Sequence, residues 1–185
     1  MRSREVIITF AHLPAGYIVS RLLFDSVEQR ITSYKRYLFW GLSGAVAPDI
    51  DHICLIFINP KQADHHLYFP HYPVFWFSLL LFSLFWLVIS KKNEQNSLLS
   101  FLFCLEGTIH MILDSVTRHI YWMAPLSYRS FSIEDLIHLK MPWFIEQYPH
   151  WELSLEASIF VWAAYLLITD RNAGKISTKL TARTD

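Results

Sequence analysis

Glu106, His110 and Asp114 recur at i, i+4 and i+8 inside Ser97 to Thr117, a stretch that is otherwise apolar. On a helix that spacing keeps the three within about 80° of one another. His110-x-x-x-Asp114 then aims an imidazole and a carboxylate at one point, as a helix-borne metal site requires. The plainer alternative is a buried His–Asp hydrogen bond that ties helices together. A second group, Asp49-Ile50-Asp51-His52, follows Pro48. Two carboxylates and an imidazole within four residues offer hard oxygen and borderline nitrogen donors to a divalent ion; a polar helix end with a turn is the alternative. His65, His66 and His71 lie in the next loop, His12 stands alone in an apolar run, and His150, Glu152 and Glu156 gather where the last apolar run begins. A carboxylate such as Glu156 within an apolar run needs a partner.

The elements that must carry these residues are membrane helices. Charged residues are 17% of the 185 and aromatic residues 16%, against about 25% charged in a typical soluble domain. So small a chain has too much surface for so little charge. Lys+Arg and Asp+Glu are 16 each, which excludes the basic face of a nucleic-acid binder. Cys54 and Cys104 lack the spacing of a disulfide framework or thiolate zinc site. With only five glycines there is no phosphate loop, and no G-x-S-x-G or H-E-x-x-H occurs.

A crossing takes about 20 apolar residues. Pro73 to Ser90, Ser97 to Thr117, Leu153 to Thr169 and Val6 to Phe24 qualify, and Tyr37 to Pro48 makes a short helix or a fifth, abbreviated span. Placing Lys35-Arg36, Lys91-Lys92 and the tail after Asp170 in the cytoplasm, with Arg21 and Arg30, puts 10 of the 16 basic residues there. The expectation is five crossings, with the N-terminus outside and the C-terminus inside. None of the nine histidines then falls in a cytoplasmic segment, and His12 and His110 lie at matched depth, roughly 10 Å below the outer surface.

Taken in order, His12 with Gly16, Pro-Asp-Ile-Asp-His at 48–52, His66 and His71, and His-Met-Ile-Leu-Asp-Ser-Val-Thr at 110–117 with Pro125 beyond resemble the YdjM-like family of bacterial inner-membrane proteins. That family is described as membrane-bound, predicted metal-dependent hydrolases, some of them LexA-regulated. The resemblance covers roughly residues 8–130 and implies metal-ligand roles for His12, Asp49, His66 or His71, His110 and Asp114. The order is also similar to the site of zinc-dependent phospholipase C and P1-type nuclease. It departs in its last part, where His150 is followed by Glu152 and Glu156 and not by a glutamate at i+4.

The expected protein is all-α: one membrane-embedded domain over residues 1–185, with about five crossings and a polar metal pocket on the extracytoplasmic side of a bacterial inner membrane. The expected activity is hydrolysis of a phosphoester in a lipid or lipid-linked substrate by one to three divalent ions, Zn²⁺ above all. The ligand set is His12, Asp49, His52, His66, His71, His110 and Asp114, with His65, His150 and Glu156 as possible additions. Asp51 or Glu106 would orient a ligand or accept a proton, and Glu106 is expected to hold His12 or His110 from below. His138 is expected to stand apart, in a loop with no carboxylate one helical turn away. The other function classes are a non-enzymatic membrane protein stapled by metal and a metal or proton carrier. A carrier is disfavoured because the inner halves of 73–90 and 153–169 hold almost no polar groups.

Overall fold

The computed structural model describes residues 11–27, 31–50, 69–90, 94–141, 143–144, 148 and 151–172. They form six α-helices: α1 His12–Phe24, α2 Tyr34–Val46, α3 Pro73–Ile89, α4 Glu94–Thr117, α5 Ile133–Lys140 and α6 Trp151–Asn172. Two 3₁₀ turns, Ala47–Asp49 and Phe69–His71, lie between α2 and α3. The β pairing among the described residues is a single antiparallel bridge between Ile120 and Phe131. The fold is all-helical, as expected.

Prolines mark the beginnings. Pro14 sits in the first turn of α1, and Pro73 is the first residue of α3. There a missing N–H costs nothing, because the first helical N–H groups have no intrahelical acceptor. α2 starts at Tyr34, three residues before the expected boundary, and ends where Pro48 forces the tighter 3₁₀ turn. At 13 residues it is about 20 Å long. α5 corrects the expectation of a plain loop: Ser132 and Asp135 cap each other's backbone in a reciprocal capping box. The Ser-Ile-Glu-Asp pattern at 132–135 was the available signal.

α4 is the central helix. α2 and α3 pack most extensively against it, and α1 packs on α2, α4 and α6. Glycine permits the closest approaches. A Cβ on Gly44 would lie 2.4 Å from the carbonyl oxygen of Phe103, so the α2 and α4 backbones touch. A Cβ on Gly107 would lie 2.2 Å from the ring of Trp76, which therefore lies flat on α4. The contacts fix the directions. Gly16 meets Ala45 while Gly41 meets Ser20, so α1 and α2 are antiparallel. Trp76 meets Gly107 while His71 meets His110, so α3 opposes α4. Tyr17 packs with Ala163, and Arg21 pairs with Asp170, so α1 and α6 run parallel. The five longer helices thus alternate in direction.

Glu94–Val116 and Trp151–Arg171 are long and apolar enough to cross a membrane, and Pro73–Ile89 is a shorter apolar helix. The outer surface is apolar too. Leu81, Phe82, Phe85 and Val88 on α3, and Val161, Trp162, Tyr165 and Ile168 on α6, are all exposed. Contiguous apolar surface of this kind is rare on soluble monomers.

Candidate metal centre

Five donors from four elements meet at one end of the bundle. His12 comes from the start of α1, Asp49 from the 3₁₀ turn after α2, His71 from the turn before α3, and His110 and Asp114 from α4. His12 Nε2 lies 3.1 Å from Asp114 Oδ1, and His110 Nε2 lies 3.1 Å from Asp114 Oδ2. Asp49 Oδ1 is 3.5 Å from His71 Nε2 and 3.6 Å from His110 Nε2. The imidazoles of His12 and His110 stack with centroids 3.6 Å apart. All but Asp49 are buried, with His71 and His110 at 0% and 1% exposure.

Each ligand position has a local cause. The i, i+4 spacing of His110 and Asp114 puts both on one stripe of α4. The carbonyl of Ala45 is one of the last of α2, which a helix end leaves without an intrahelical donor. It accepts a 2.7 Å hydrogen bond from His110 Nδ1. Trp76, seated against Gly107, donates its indole N–H to the Pro70 carbonyl at 2.7 Å. That bond anchors the turn carrying His71, and the two 3₁₀ turns pack together so that Asp49 reaches the same point.

The donor set fits a divalent cation. A carbonyl only accepts, so His110 Nδ1 carries the hydrogen and, in the neutral ring, Nε2 presents a lone pair. That buried Nε2 has no hydrogen-bond partner. It faces two carboxylate oxygens, an arrangement that is repulsive unless a cation or proton lies among them. His12, Asp49 and His110 form one group able to hold an ion, and His71, His110 and Asp114 a second. Within each, the donor atoms lie within 4.8 Å of one another. Burial opposes the charge on Asp49, but the neighbouring imidazoles of His71, His110 and His12 outweigh it and hold its carboxyl below the ordinary range.

Glu106 corrects one expectation. Its Oε1 accepts a 2.8 Å hydrogen bond from Ser20 Oγ, and its buried Oε2 has no hydrogen-bond partner. It therefore does not hold His12 or His110, although it lines a narrow gap beneath them with Gly16, Ala45, Ile109 and Leu113. His138 is corrected as well: it is exposed on α5, and Glu134, one turn earlier, lies 3.9 Å away. It remains apart from the donor cluster. Glu156 sits on α6, outside both donor groups. Asp51, His52, His65, His66 and His150 lie outside the described residues.

A buried ion pair that the spacing of motifs does not predict lies at the opposite end of α1. Arg21 donates through Nη2 to Asp170 Oδ1 at 2.8 Å and through Nε to Oδ2, while its Nη1 reaches Asp25 Oδ2 at 2.7 Å. Tyr17 donates to Asp170 at 3.5 Å. The signal was available: an arginine and an aspartate of opposite sign, each at the edge of an apolar run.

Fold and site together define an all-helical protein with long apolar helices and a buried His/Asp cluster able to hold a metal ion. A family model, the YdjM inner membrane protein family, matches residues 7–173, and the chain belongs to that family. No curated protein and no solved structure matches it.

Proposed function

We propose that this chain is a metal-dependent hydrolase of the inner membrane, acting on a phosphoester in a lipid or lipid-linked substrate. The observation that carries the proposal is His110: Nδ1 fixed on the Ala45 carbonyl, Nε2 buried and turned on the carboxylates of Asp49 and Asp114. Imidazole and carboxylate together suit Zn²⁺. His12, Asp49, His71, His110 and Asp114 would hold one or more ions, with His52 and His66 as further ligands. When bound, a divalent ion supplies Lewis acidity, acidifying water and offsetting charge that builds on phosphoryl oxygens.

The chain's own residues supply position and proton handling. The Ala45 carbonyl fixes the tautomer and ring plane of His110. Glu106, beneath the site, and Asp51 are the proton acceptors we assign. Glu106→Gln keeps a carbonyl oxygen for Ser20, so metal content should be unchanged while turnover falls by about 10²–10⁴-fold, the range for a lost proton acceptor. Wild-type turnover in that variant removes Glu106 from the chemistry.

The alternation of α1, α2, α3, α4 and α6 supports five crossings, and the Lys/Arg distribution supports a donor cluster facing the periplasm. Reporter fusions should place position 62 in the periplasm and position 93 in the cytoplasm; the reverse sidedness overturns the orientation. The function itself is tested by elemental analysis of detergent-purified protein with a screen of phosphoester and phospholipid substrates. Stoichiometric zinc with metal-dependent release of a phosphorylated head group is expected. Tightly bound metal with no turnover across the screen points to the alternative, a metal that only staples the helix ends.

A further inference from the structure

A second polar feature lies beside the donor cluster. Ala11, Leu113 and Val116 face Leu155 and Ile159 across a narrow groove of about 20 Å³ between α1, α4 and α6, and Glu152 and Glu156 complete its wall. Ala11 and Leu113 are the chain neighbours of His12 and Asp114, so the groove lies beside the cluster. Leu113 also lines the gap beneath His12 and His110.

Two carboxylates one turn apart on a helix repel each other, and an apolar wall worsens this by removing water. Glu156 is only 8% exposed, and its buried Oε1 has no hydrogen-bond partner. A buried acceptor without a donor is costly, and donors from a ligand would remove that cost. The described groove residues favour one kind of ligand. A metal ion needs several polar donors, and the rest of the wall is aliphatic; neither described group able to hold a metal includes Glu152 or Glu156. A primary ammonium suits the groove: it brings three donors and a positive charge on a short hydrocarbon stem.

We infer that Glu152 and Glu156 form the subsite that recognises a primary ammonium on the head group of a lipid substrate, while the adjacent His/Asp cluster takes its phosphoryl group. This rests on the phosphoester reading for the identity of the reacting group. The subsite itself is tested by binding. Short-chain phosphatidylethanolamine and phosphatidylglycerol with the same acyl chains are titrated into the metal-loaded, detergent-purified protein, and retention is read by native mass spectrometry.

The wild-type protein should bind the ethanolamine lipid at least ~10-fold more tightly, a difference of about 1.4 kcal/mol. Glu156→Gln should erase the preference with metal content unchanged. Glu152→Gln, in the first turn of α6, provides the second variant if Glu156→Gln does not fold, and should reduce the preference likewise. Equal affinities in the wild type, or a preference that survives in the folded variant, overturn the subsite. A protein that shows the preference yet turns over nothing in the phosphoester and phospholipid screen refutes the hydrolase reading and keeps the subsite. One that hydrolyses both lipids and binds them equally does the reverse.

Discussion

His110→Ala is expected to strip the protein of its metal, lowering affinity by more than the 10–100-fold typical of losing a residue that only supports a ligand. His110 belongs to both donor groups, so its loss leaves each with two members. It also removes the donor to the Ala45 carbonyl, leaving a buried acceptor at a cost of about 1–3 kcal/mol. Asp49→Ala should have nearly the same effect on metal, because Oδ1 faces both His71 and His110. His138→Ala is the control. That histidine is half exposed on α5, and its described ion-pair neighbour is Glu134. Metal per chain, measured by elemental analysis, should fall to background in the first two variants and stay at the wild-type level in the third. Unchanged metal in His110→Ala would end the case for this site.

The second large effect is on stability. Arg21→Leu should cost about 3–5 kcal/mol, because it leaves the Asp170 carboxylate buried without its guanidinium. The two side chains are 7% and 5% exposed, and the contact is bidentate, so neither charge is returned to water while the bundle is intact. Asp170→Leu should cost a similar amount. Replacing both by leucine should recover most of the loss, since a buried ion pair contributes little beyond an apolar pair of like volume. Unfolding in detergent, followed by far-UV circular dichroism, measures all four proteins. A double variant as unstable as the two single losses added together would show that the residues do not act as a pair. Arg21 is nine residues along α1 from His12, about 13 Å, so the folded fraction of each variant should keep its metal.

The sequence by itself determined the class of protein and most of the donors. Low charge and long apolar runs require helices, because backbone groups in lipid must be satisfied within the segment. His110 and Asp114 are a turn apart on any helix, so their shared face follows from the 3.6-residue period alone. The capping box of α5 and the opposite charges of Arg21 and Asp170 are also written in the sequence.

Only the tertiary structure decided the rest. That His71 joins the cluster depends on Trp76 lying against Gly107 and holding Pro70, a contact 31 residues apart that no local pattern encodes. The tautomer of His110 is set by a carbonyl 65 positions away on α2. Glu106 sits on the right stripe of α4 for the cluster, yet Ser20 reaches it first, because Gly41 brings α2 close against Ser20 on α1. Helical periodicity gives a side chain its face and depth; the rotation and separation of neighbouring helices, set here by glycine contacts, decide which partner stands opposite.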